Sequence, residues 1–365
     1  MIETSETSVR QCLASLADPY GDTPLDAAVR AVGVDGRKVS VDLALGYPLD
    51  EGGRAELAAL VQTHLQAQPE IEAAAVSILS RIYSHRVQNA LAPLGGVKNI
   101  IVVASGKGGV GKSTVSANLA LALQAEGARV GILDADIYGP SQPRMFGVEG
   151  KPDSPDGKTI VPKQAHGLQI MSIGFLIEED TPMIWRGPMV TQAMMQLLND
   201  SRWEQLDYLI MDLPPGTGDI QLTLSQKVPV AGAVVVTTPQ DIALLDARKA
   251  YKMFEKVGVP VLGVVENMAT HICSNCGHEE AIFGAGGGRQ MAEDYAVPYL
   301  GALPLDIRIR QQADDGAPVV AALPESDLAG HYRQIARRAA ARLAAQPRNK
   351  ALGLGSVVVQ NAPAA

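Results

Sequence analysis

A glycine-rich segment, Gly106-Lys107-Gly108-Gly109-Val110-Gly111-Lys112-Ser113, constrains the fold of this chain more than any other part of the sequence. An apolar run at residues 99–104 precedes it, and an amphipathic stretch at residues 114–126 follows it and ends at Gly127. This order predicts a buried strand, a glycine-rich turn and a helix. In such a unit, backbone N–H groups and the positive end of the helix converge on phosphate oxygens. The segment therefore predicts a phosphate-binding loop rather than a coincidental glycine turn.

The predicted loop assigns roles to individual residues. We expect Lys112 to reach the β- and γ-phosphates of a nucleotide, and the Ser113 hydroxyl to bind Mg²⁺. Lys107 is a second lysine that the general pattern does not require, and it makes this loop unusual. The other residues predicted to bind ATP here are Gly106, Gly108, Gly109, Val110, Gly111 and Thr114.

The composition is that of a globular protein with an aliphatic core. Of the 365 residues, 47% are hydrophobic but only 4% are aromatic, and the length allows one large α/β domain and a smaller one. The net charge of −8 argues against nucleic acid as a partner, since no basic excess can neutralise phosphates. No apolar stretch is long enough to cross a bilayer, and the acidic N-terminus is unlike a secretory signal. We therefore expect a cytoplasmic protein with no membrane partner.

Residues 1–85 predict a small α+β domain, and residues 86–98, which contain Pro93 and Gly95-Gly96, predict a linker. A helical pattern runs through Val9, Leu13 and Leu16. The other expected elements are strands at residues 28–34 and 38–44 around a tight turn, a helix at residues 55–68 and a strand at residues 71–77.

From residue 99 to residue 344, near-continuous apolar runs alternate with helical segments. Such runs predict an α/β domain with a mostly parallel sheet covered by helices on both faces, whose ligands lie at the carboxyl ends of the strands. Residues 345–365 are rich in Ala, Pro, Gly and Asn, and we expect them to be disordered. The predicted strands are residues 100–104, 129–133, 208–211, 233–237 and 261–265.

Two of these runs end in acidic residues. The first leads into Asp134-Ala135-Asp136, where a carboxylate could orient water for attack on a γ-phosphate. The second ends in Asp212, where an acid would support Mg²⁺, and leads to Gly216, whose N–H could approach that phosphate. Each acid alone could instead cap a helix, but together with the phosphate loop they predict a nucleotide site.

The cysteines leave three kinds of chemistry open. Cys12 stands alone and is expected to be a small buried residue, whereas Cys273 and Cys276 form a C-x-x-C pair. With no second pair, a disulfide framework is not expected, and an iron–sulfur cluster, zinc and a redox dithiol remain equally open. A metal centre needs four ligands, which a two-fold dimer would supply. We expect His271 and His278 to be loop residues rather than ligands.

The pair Lys107 and Lys112 resembles the deviant Walker A loop of the MinD, ParA and nitrogenase iron-protein class. Members of that class are dimeric P-loop ATPases. Three further segments narrow the match, so that residues 97–343 resemble the Mrp/ApbC family of iron–sulfur cluster carriers. The segments are Asp134-Ala135-Asp136-Ile137-Tyr138-Gly139-Pro140-Ser141, Asp212-Leu213-Pro214-Pro215-Gly216-Thr217-Gly218-Asp219, and Glu266-Asn267-Met268 followed by the C-x-x-C.

This resemblance implies a homodimeric P-loop NTPase that binds and hydrolyses ATP with Mg²⁺. It implies that Cys273 and Cys276 of both chains hold one [4Fe–4S] cluster, which passes to apo-proteins. The implied catalytic residues are Lys107, which reaches the nucleotide of the partner chain, Lys112, and Asp136, which positions the attacking water.

The resemblance also implies roles at the edges of the site. Asp212 would support Mg²⁺, and Asp219 would belong to the second switch segment. Asn267 would recognise adenine, with Pro304 of Leu303-Pro304-Leu305-Asp306 on the other side of the base. Asp134 is as compatible with a structural role as with a catalytic one.

Two alternative functions belong to related classes. A positioning ATPase of the MinD or ParA type would need a basic, amphipathic terminal helix for membranes, or more basic residues for DNA, and residues 345–365 have no apolar face at helical spacing. An ATP-driven reductase like the nitrogenase iron protein would carry widely separated cysteine ligands rather than a C-x-x-C.

Residues 1–85 resemble the MIP18 family, on the evidence of Asp18-Pro19 and Val39-Ser40-Val41-Asp42-Leu43-Ala44-Leu45. The chain reads Gly46-Tyr47-Pro48-Leu49-Asp50 where that family often has a cysteine. We therefore expect this domain to dock partners rather than to bind a cluster.

Overall fold

The computed structural model describes residues 4–88, 91–176, 187–273 and 275–349. Residues 28–80 contain a small sheet, and a larger sheet begins at residue 97. The α/β class with a mostly parallel sheet and a small preceding α+β unit is confirmed. Among the described residues, no helix is both long and apolar enough to cross a membrane.

The N-terminal unit packs helices against a three-stranded sheet. In β2 every second residue is buried, and in α2 the buried residues Leu57, Val61 and Leu65 recur every fourth position, which places both apolar faces in one core. β1 and β2 pair antiparallel, whereas β2 and β3 pair parallel through α2. The elements are α1 (Glu6–Ala14), a 3₁₀ turn (Leu25–Ala28), β1 (Val29–Asp35), β2 (Lys38–Leu45), α2 (Glu51–Gln66) and β3 (Ala73–Ser80).

The larger unit alternates strands and helices. Its elements are β4 (Val97–Ala104), α3 (Lys112–Ala125), β5 (Val130–Asp134), α4 (Gln142–Met145), β6 (Lys163–Ala165), β7 (Leu168–Ser172), a 3₁₀ turn (Ile173–Phe175), α5 (Gly187–Asp200), β8 (Leu206–Asp212), α6 (Asp219–Lys227), β9 (Val230–Thr237), α7 (Asp241–Val257), β10 (Val261–Glu266), β11 (His271–Ile272), β12 (Glu279–Glu280), α8 (Gly287–Asp294), β13 (Tyr299–Ala302), α9 (Ile307–Asp314), α10 (Val319–Ala322) and α11 (Asp327–Ala344).

The described strands of the larger sheet lie in the order β13-β10-β9-β4-β8-β5-β7-β6, and only the β6–β7 pair is antiparallel. Every residue of β8 and β9 is buried, because helices cover both faces. Helices α3, α10 and α11 all contact one another. In a second group, α5 contacts α6, α6 contacts α7 and α7 contacts α8. Because all the strand pairs other than β6–β7 are parallel, every described strand of this sheet except β6 directs its carboxyl end to one edge.

Several helices and strands begin or end a few residues from the predicted positions, such as α2 and β3, and the structure differs from the predicted domain boundaries at two places. β4 begins at Val97 and so takes the last residues of the predicted linker. Residues 345–349 were expected to be disordered, but the Arg86 N–H donates to the Pro347 carbonyl and the Asn349 N–H to the Ser84 carbonyl. The remaining part of the predicted tail, residues 350–365, lies outside the described residues. The difference arises because these backbone groups find partners that are distant in sequence.

Four charged side chains join the two units. Glu126, at the end of α3, is fully buried and lies 2.7 Å from Arg333 Nε and 2.9 Å from Arg337 Nε of α11. Asp50, the N-cap of α2, pairs with both arginines, and its N–H donates to Glu126 Oε2 at 3.0 Å. Two guanidinium groups thus offset the cost of burying Glu126, which is several kcal/mol for an unpaired charge. The small unit is held at the end of α3 opposite the glycine-rich loop.

Candidate functional site

The predicted site residues meet at the carboxyl edge of the larger sheet. The glycine-rich loop follows β4, Asp134 and Asp136 lie at the end of β5, Asp212 ends β8, and Asn267 follows β10. Neighbouring parallel strands bring these ends together, as the sequence predicted for the loop and the acids.

The glycine-rich loop has the backbone that a phosphate cradle requires. Gly109 and Gly111 adopt left-handed φ angles of 84° and 81°, which favour glycine. A Cβ on Gly111 would lie 2.2 Å from Asn267 Nδ2, and a Cβ on Gly106 would lie 2.0 Å from the Asp246 backbone of α7. Side chains at either position would separate the loop from its neighbours, so these glycines are required by close packing.

Lys112 and the acids form a buried ionic cluster. Lys112 Nζ lies 2.6 Å from Asp212 Oδ1, 3.9 Å from Asp136 Oδ2 and 3.2 Å from Ser113 Oγ. Burial raises the pKa of the Asp136 carboxyl, an effect that the Lys112 ammonium opposes and the Asp212 charge reinforces. The site therefore concentrates one cation, two carboxylates and one hydroxyl at the N-terminus of α3.

Two neutral side chains complete this cluster, and the sequence analysis missed both. Ser116 Oγ donates to Asp212 Oδ1 at 2.8 Å, and Gln142 Nε2 donates to Asp212 Oδ2 at 3.0 Å and to the Ser113 carbonyl at 3.1 Å. Ser116 lies one helical turn after Lys112, a spacing that could have been noticed. Nothing in the sequence distinguishes Gln142, the first residue of the short helix α4, from any other glutamine.

Asp134 organises the loop that carries Asp136. It is fully buried and accepts hydrogen bonds from the N–H groups of Asp136, Ser141 and Gln142, at 3.1, 3.0 and 3.0 Å, and from Ser172 Oγ at 3.1 Å. Burial, with the nearby Asp212 charge, raises the pKa of this carboxyl to about 7. Its partners are all protein donors, which favours the structural alternative for this residue.

Replacing Asp134 by alanine should lower the free energy of unfolding by about 3–4 kcal/mol, at about 1 kcal/mol for each buried donor left without an acceptor. Asp134→Asn keeps one oxygen for the donors on Oδ2 and should lose about 1 kcal/mol. Urea unfolding of both variants measures these losses. Loss of nucleotide hydrolysis in Asp134→Asn without loss of stability would instead assign Asp134 a catalytic role.

Lys107 contrasts with Lys112. Its side chain is exposed, and its ammonium makes no hydrogen bond or ion pair with any described residue. The Ser105 hydroxyl donates to the Lys107 carbonyl at 2.9 Å, which fixes the backbone while the side chain projects outward. The loop thus presents one lysine to its own acids and one to the surroundings.

Hydrogen bonds also fix the segment that follows β8 and the residues that follow β10. Gly216 has φ 101°, and its N–H donates to the Ser105 carbonyl at 2.9 Å; Asp219 is exposed at the start of α6. Asn267 Nδ2 donates to the Val110 carbonyl at 2.8 Å. Leu303, which precedes the buried Pro304, bonds through its backbone to Glu266 and Ala269, so Pro304 lies near Asn267.

The C-x-x-C pair lies on a hairpin formed by β11 and β12. The Cys273 N–H donates to the His278 carbonyl at 2.9 Å, and the Gly277 N–H donates to the Cys273 carbonyl at 2.8 Å. Cys276 is exposed and Cys273 is partly exposed, and Ser274 between them lies outside the described residues. His271 Nδ1 lies 3.1 Å from the Leu305 carbonyl oxygen, so that nitrogen already has a hydrogen-bond partner within the chain.

The hairpin favours a thiolate. Backbone N–H groups of Asn275 and Cys276 lower the pKa of Cys273, with a further contribution from the Cys276 side chain. Among the described residues, no group of three His, Cys, Asp or Glu side chains could share a metal ion. The described part of one chain thus offers one exposed and one partly exposed thiol at this hairpin, and no third metal ligand beside them.

Known proteins share this architecture. Residues 96–340 match a family model described as ParA, NUBPL iron-transfer P-loop NTPase. An iron–sulfur cluster carrier protein of Pseudomonas fragi is 60% identical over 268 residues, which cover 73% of this chain and 93% of the relative. A protein of the same name from Haemophilus influenzae is 64% identical over 249 residues, which cover 68% of this chain and 67% of the relative.

A solved structure agrees with these relatives. It is a nucleotide-binding protein of Archaeoglobus fulgidus in complex with ADP, 39% identical to this chain with a TM-score of 0.56, and the match covers 64% of this chain and 91% of that one. The chain therefore belongs to the ParA family of NUBPL-type iron-transfer P-loop NTPases.

Proposed function

We propose that the protein is an ATP-hydrolysing iron–sulfur cluster carrier that acts in the cytoplasm. Two chains would share one [4Fe–4S] cluster, the cargo, and deliver it to apo-proteins. The observation that carries this proposal is the exposed Cys273 and Cys276 pair, which has no third ligand among the described residues. A two-fold axis near the hairpins would supply the four thiolates that a cubane cluster needs. The relatives from Pseudomonas fragi and Haemophilus influenzae are named as iron–sulfur cluster carrier proteins, which supports the same cargo.

The nucleotide would bind at the glycine-rich loop. Backbone N–H groups of residues 106–114 would contact the phosphates, and Lys112 would leave Asp212 to reach the β- and γ-phosphates. Asn267 would release the Val110 carbonyl to bind the adenine edge, with Pro304 packed beside the base. Gly216 would turn its N–H from Ser105 toward the γ-phosphate, and Asp219 would move with that segment.

The donor set fits Mg²⁺. Mg²⁺ prefers oxygen ligands. The Ser113 hydroxyl and the Asp212 carboxylate both contact Lys112 Nζ, so two oxygen-bearing side chains lie close together where the ion would bind. The buried side-chain oxygens Ser141 Oγ and Gln142 Oε1 have no hydrogen-bond partner among the described residues, so both could accept hydrogen bonds from ion-bound water. When bound, Mg²⁺ would neutralise phosphate charge during hydrolysis.

Asp136 would orient the attacking water. Asp136 is 9% exposed, and its Oδ2 lies 3.9 Å from Lys112 Nζ, next to the glycine-rich loop. Lys107 of the partner chain would stabilise the charge that develops on the transferred phosphoryl group. Because Lys107 has no partner in the described part of its own chain, dimerisation and hydrolysis would be coupled.

Cluster transfer tests the proposal. Protein reconstituted with iron and sulfide under anaerobic conditions is mixed with an apo acceptor that needs a [4Fe–4S] cluster, in the presence of an iron chelator. The acceptor should gain activity at a rate that the chelator does not reduce. If activation occurs only through free iron, and so stops when the chelator is added, the protein is not a carrier.

A further inference from the structure

A groove separates the N-terminal unit from the amino-terminal ends of strands β4 and β8 in the larger sheet. Its cavity has a volume of about 970 Å³. Pro48, Leu49 and residues 78–84 line one side, and Lys98 and Asp207 line the other. The groove borders Glu126 at the end of α3, whereas the glycine-rich loop lies at the start of that helix, so the two sites are on opposite ends of the larger unit.

One wall of the groove includes Ile78, Leu79 and Ser80, the last three residues of β3, and β3 is an edge strand of the small sheet. The small sheet has the order β1-β2-β3, so among the described residues β3 pairs with a strand on one side only. β3 reads Ala73-Ala74-Ala75-Val76-Ser77-Ile78-Leu79-Ser80, without charge or proline, and none of its residues is fully buried. Natural edge strands are usually blocked by charges, prolines or bulges. β3 has none of these devices and is therefore a template for a further strand.

The opposite edge of the same sheet is blocked. β1 carries the exposed Arg30, and its register with β2 shifts between Val29 and Ala31. A bulge and a charge at one edge, with neither at the other, indicate that β3 is kept open for pairing.

The groove also has surplus positive charge. Arg81 and Tyr83 line the groove, and Arg348 lies beside it, stacked on Tyr83. The guanidinium groups of Arg81 and Arg348 lie 5.3 Å and 3.7 Å from the ring centre of Tyr83, and neither has a carboxylate partner among the described residues. Arg54, on the groove wall, donates to the Leu49 carbonyl at 2.7 Å rather than to an acid. Arginine binds carboxylates in a bidentate manner, so these side chains are suited to acidic partners.

The acids beside the groove are already neutralised. Glu126 pairs with two arginines of α11, and Asp207 pairs with Lys98 at 2.7 Å and with Arg129 at 3.3 Å. The three arginines around Tyr83 and Leu49 therefore stand out in a chain whose net charge is −8.

We propose that this groove is a docking site for an extended, acidic segment of a partner protein. The segment adds a strand to the free edge of β3, and its carboxylates bind Arg54, Arg81 and Arg348. Backbone pairing provides affinity and the arginines select acidic sequences. The proposal does not depend on nucleotide or cluster binding, because the groove is at the other end of α3.

Fluorescence polarisation of the full chain tests this site with a labelled short peptide of alternating valine and glutamate. We expect saturable binding that weakens as salt is raised. Arg81→Glu with Arg348→Glu should weaken binding at least about tenfold, since like charges then face each other. The matched control Arg30→Glu, on the blocked edge, should leave affinity unchanged.

Two further probes separate backbone pairing from charge alone. The same peptide methylated on every backbone nitrogen keeps its charge but has no N–H group to donate to the edge of β3, and we expect it not to bind. A labelled single-stranded DNA oligonucleotide is expected to bind more weakly than the peptide. The proposal is overturned if the peptide does not bind, if the methylated peptide binds equally well, if the arginine variants bind normally or if the DNA binds more tightly.

Discussion

Replacing Lys107 by alanine should lower the rate of ATP hydrolysis about 10²–10⁴-fold, the range expected when a cation that stabilises phosphoryl transfer is removed. ATP binding should be retained, because Lys112 and the loop amides remain. The structure supports this separation, since Lys112 lies among its own acids while Lys107 is exposed and without a partner in the described part of the chain. Steady-state hydrolysis and equilibrium binding of a fluorescent ATP analogue measure the two effects. Lys158→Ala, which removes another exposed lysine, is the control.

Mixing two inactive variants tests whether Lys107 acts on the partner chain. In a dimer of Lys107→Ala with Lys112→Ala, the first chain keeps an intact Lys112 and receives Lys107 from the second. An equal mixture should therefore recover about a quarter of wild-type activity, because half of the dimers have one complete site of two. If no activity returns on mixing although the mixed dimers form, Lys107 acts within its own chain.

Replacing Cys273 or Cys276 by alanine should abolish cluster binding. In a two-fold dimer each substitution removes two of the four thiolates, and no other described His, Cys, Asp or Glu side chain is placed to substitute for them. Anaerobic reconstitution followed by visible absorbance and iron determination measures the loss. Cys12→Ala is the matched control, because Cys12 packs against the core of the N-terminal unit and should leave the cluster intact.

Zinc is the competing occupant of the thiol pair. Both centres accept four thiolates, so the cysteine variants alone would lose either one. Cobalt substitution separates the two, since a tetrahedral thiolate site gives intense visible bands with cobalt but does not take up sulfide. Wild-type protein that binds zinc or cobalt tightly and takes up no sulfide would contradict the cluster assignment.

The sequence predicted the fold because the apolar runs and the acidic residues that end them both indicated a parallel sheet. The runs at residues 208–211 and 233–237 are almost wholly apolar, as strands covered on both faces must be, and they are β8 and β9 in the structure. The same rule placed Asp134 and Asp212 at one edge, since parallel strands bring their carboxyl ends together. The local sequence was sufficient to predict those strands and the acidic residues at their ends, because the order of residues along each strand decides where they lie.

Contacts between distant segments were not predictable in this way. Gln142 donates a hydrogen bond to Asp212 across 70 positions, and a neutral amide side chain gives no sequence signal of such a partner. The ionic contacts of Glu126 with Arg333 and Arg337 span more than 200 positions. The composition of residues 345–349 predicted disorder, because nothing in it shows that this segment forms hydrogen bonds with residues 84–86, far earlier in the sequence.

The stoichiometry of iron and protein tests most directly whether one dimer holds one cluster with ligands from both chains. Iron and acid-labile sulfide are measured in protein purified without oxygen, together with its mass under non-denaturing conditions. We expect a dimer with about four iron and four sulfide ions, which is one cubane cluster for two C-x-x-C pairs. A monomer that keeps a full cluster, or a dimer that contains zinc and no sulfide, would contradict it.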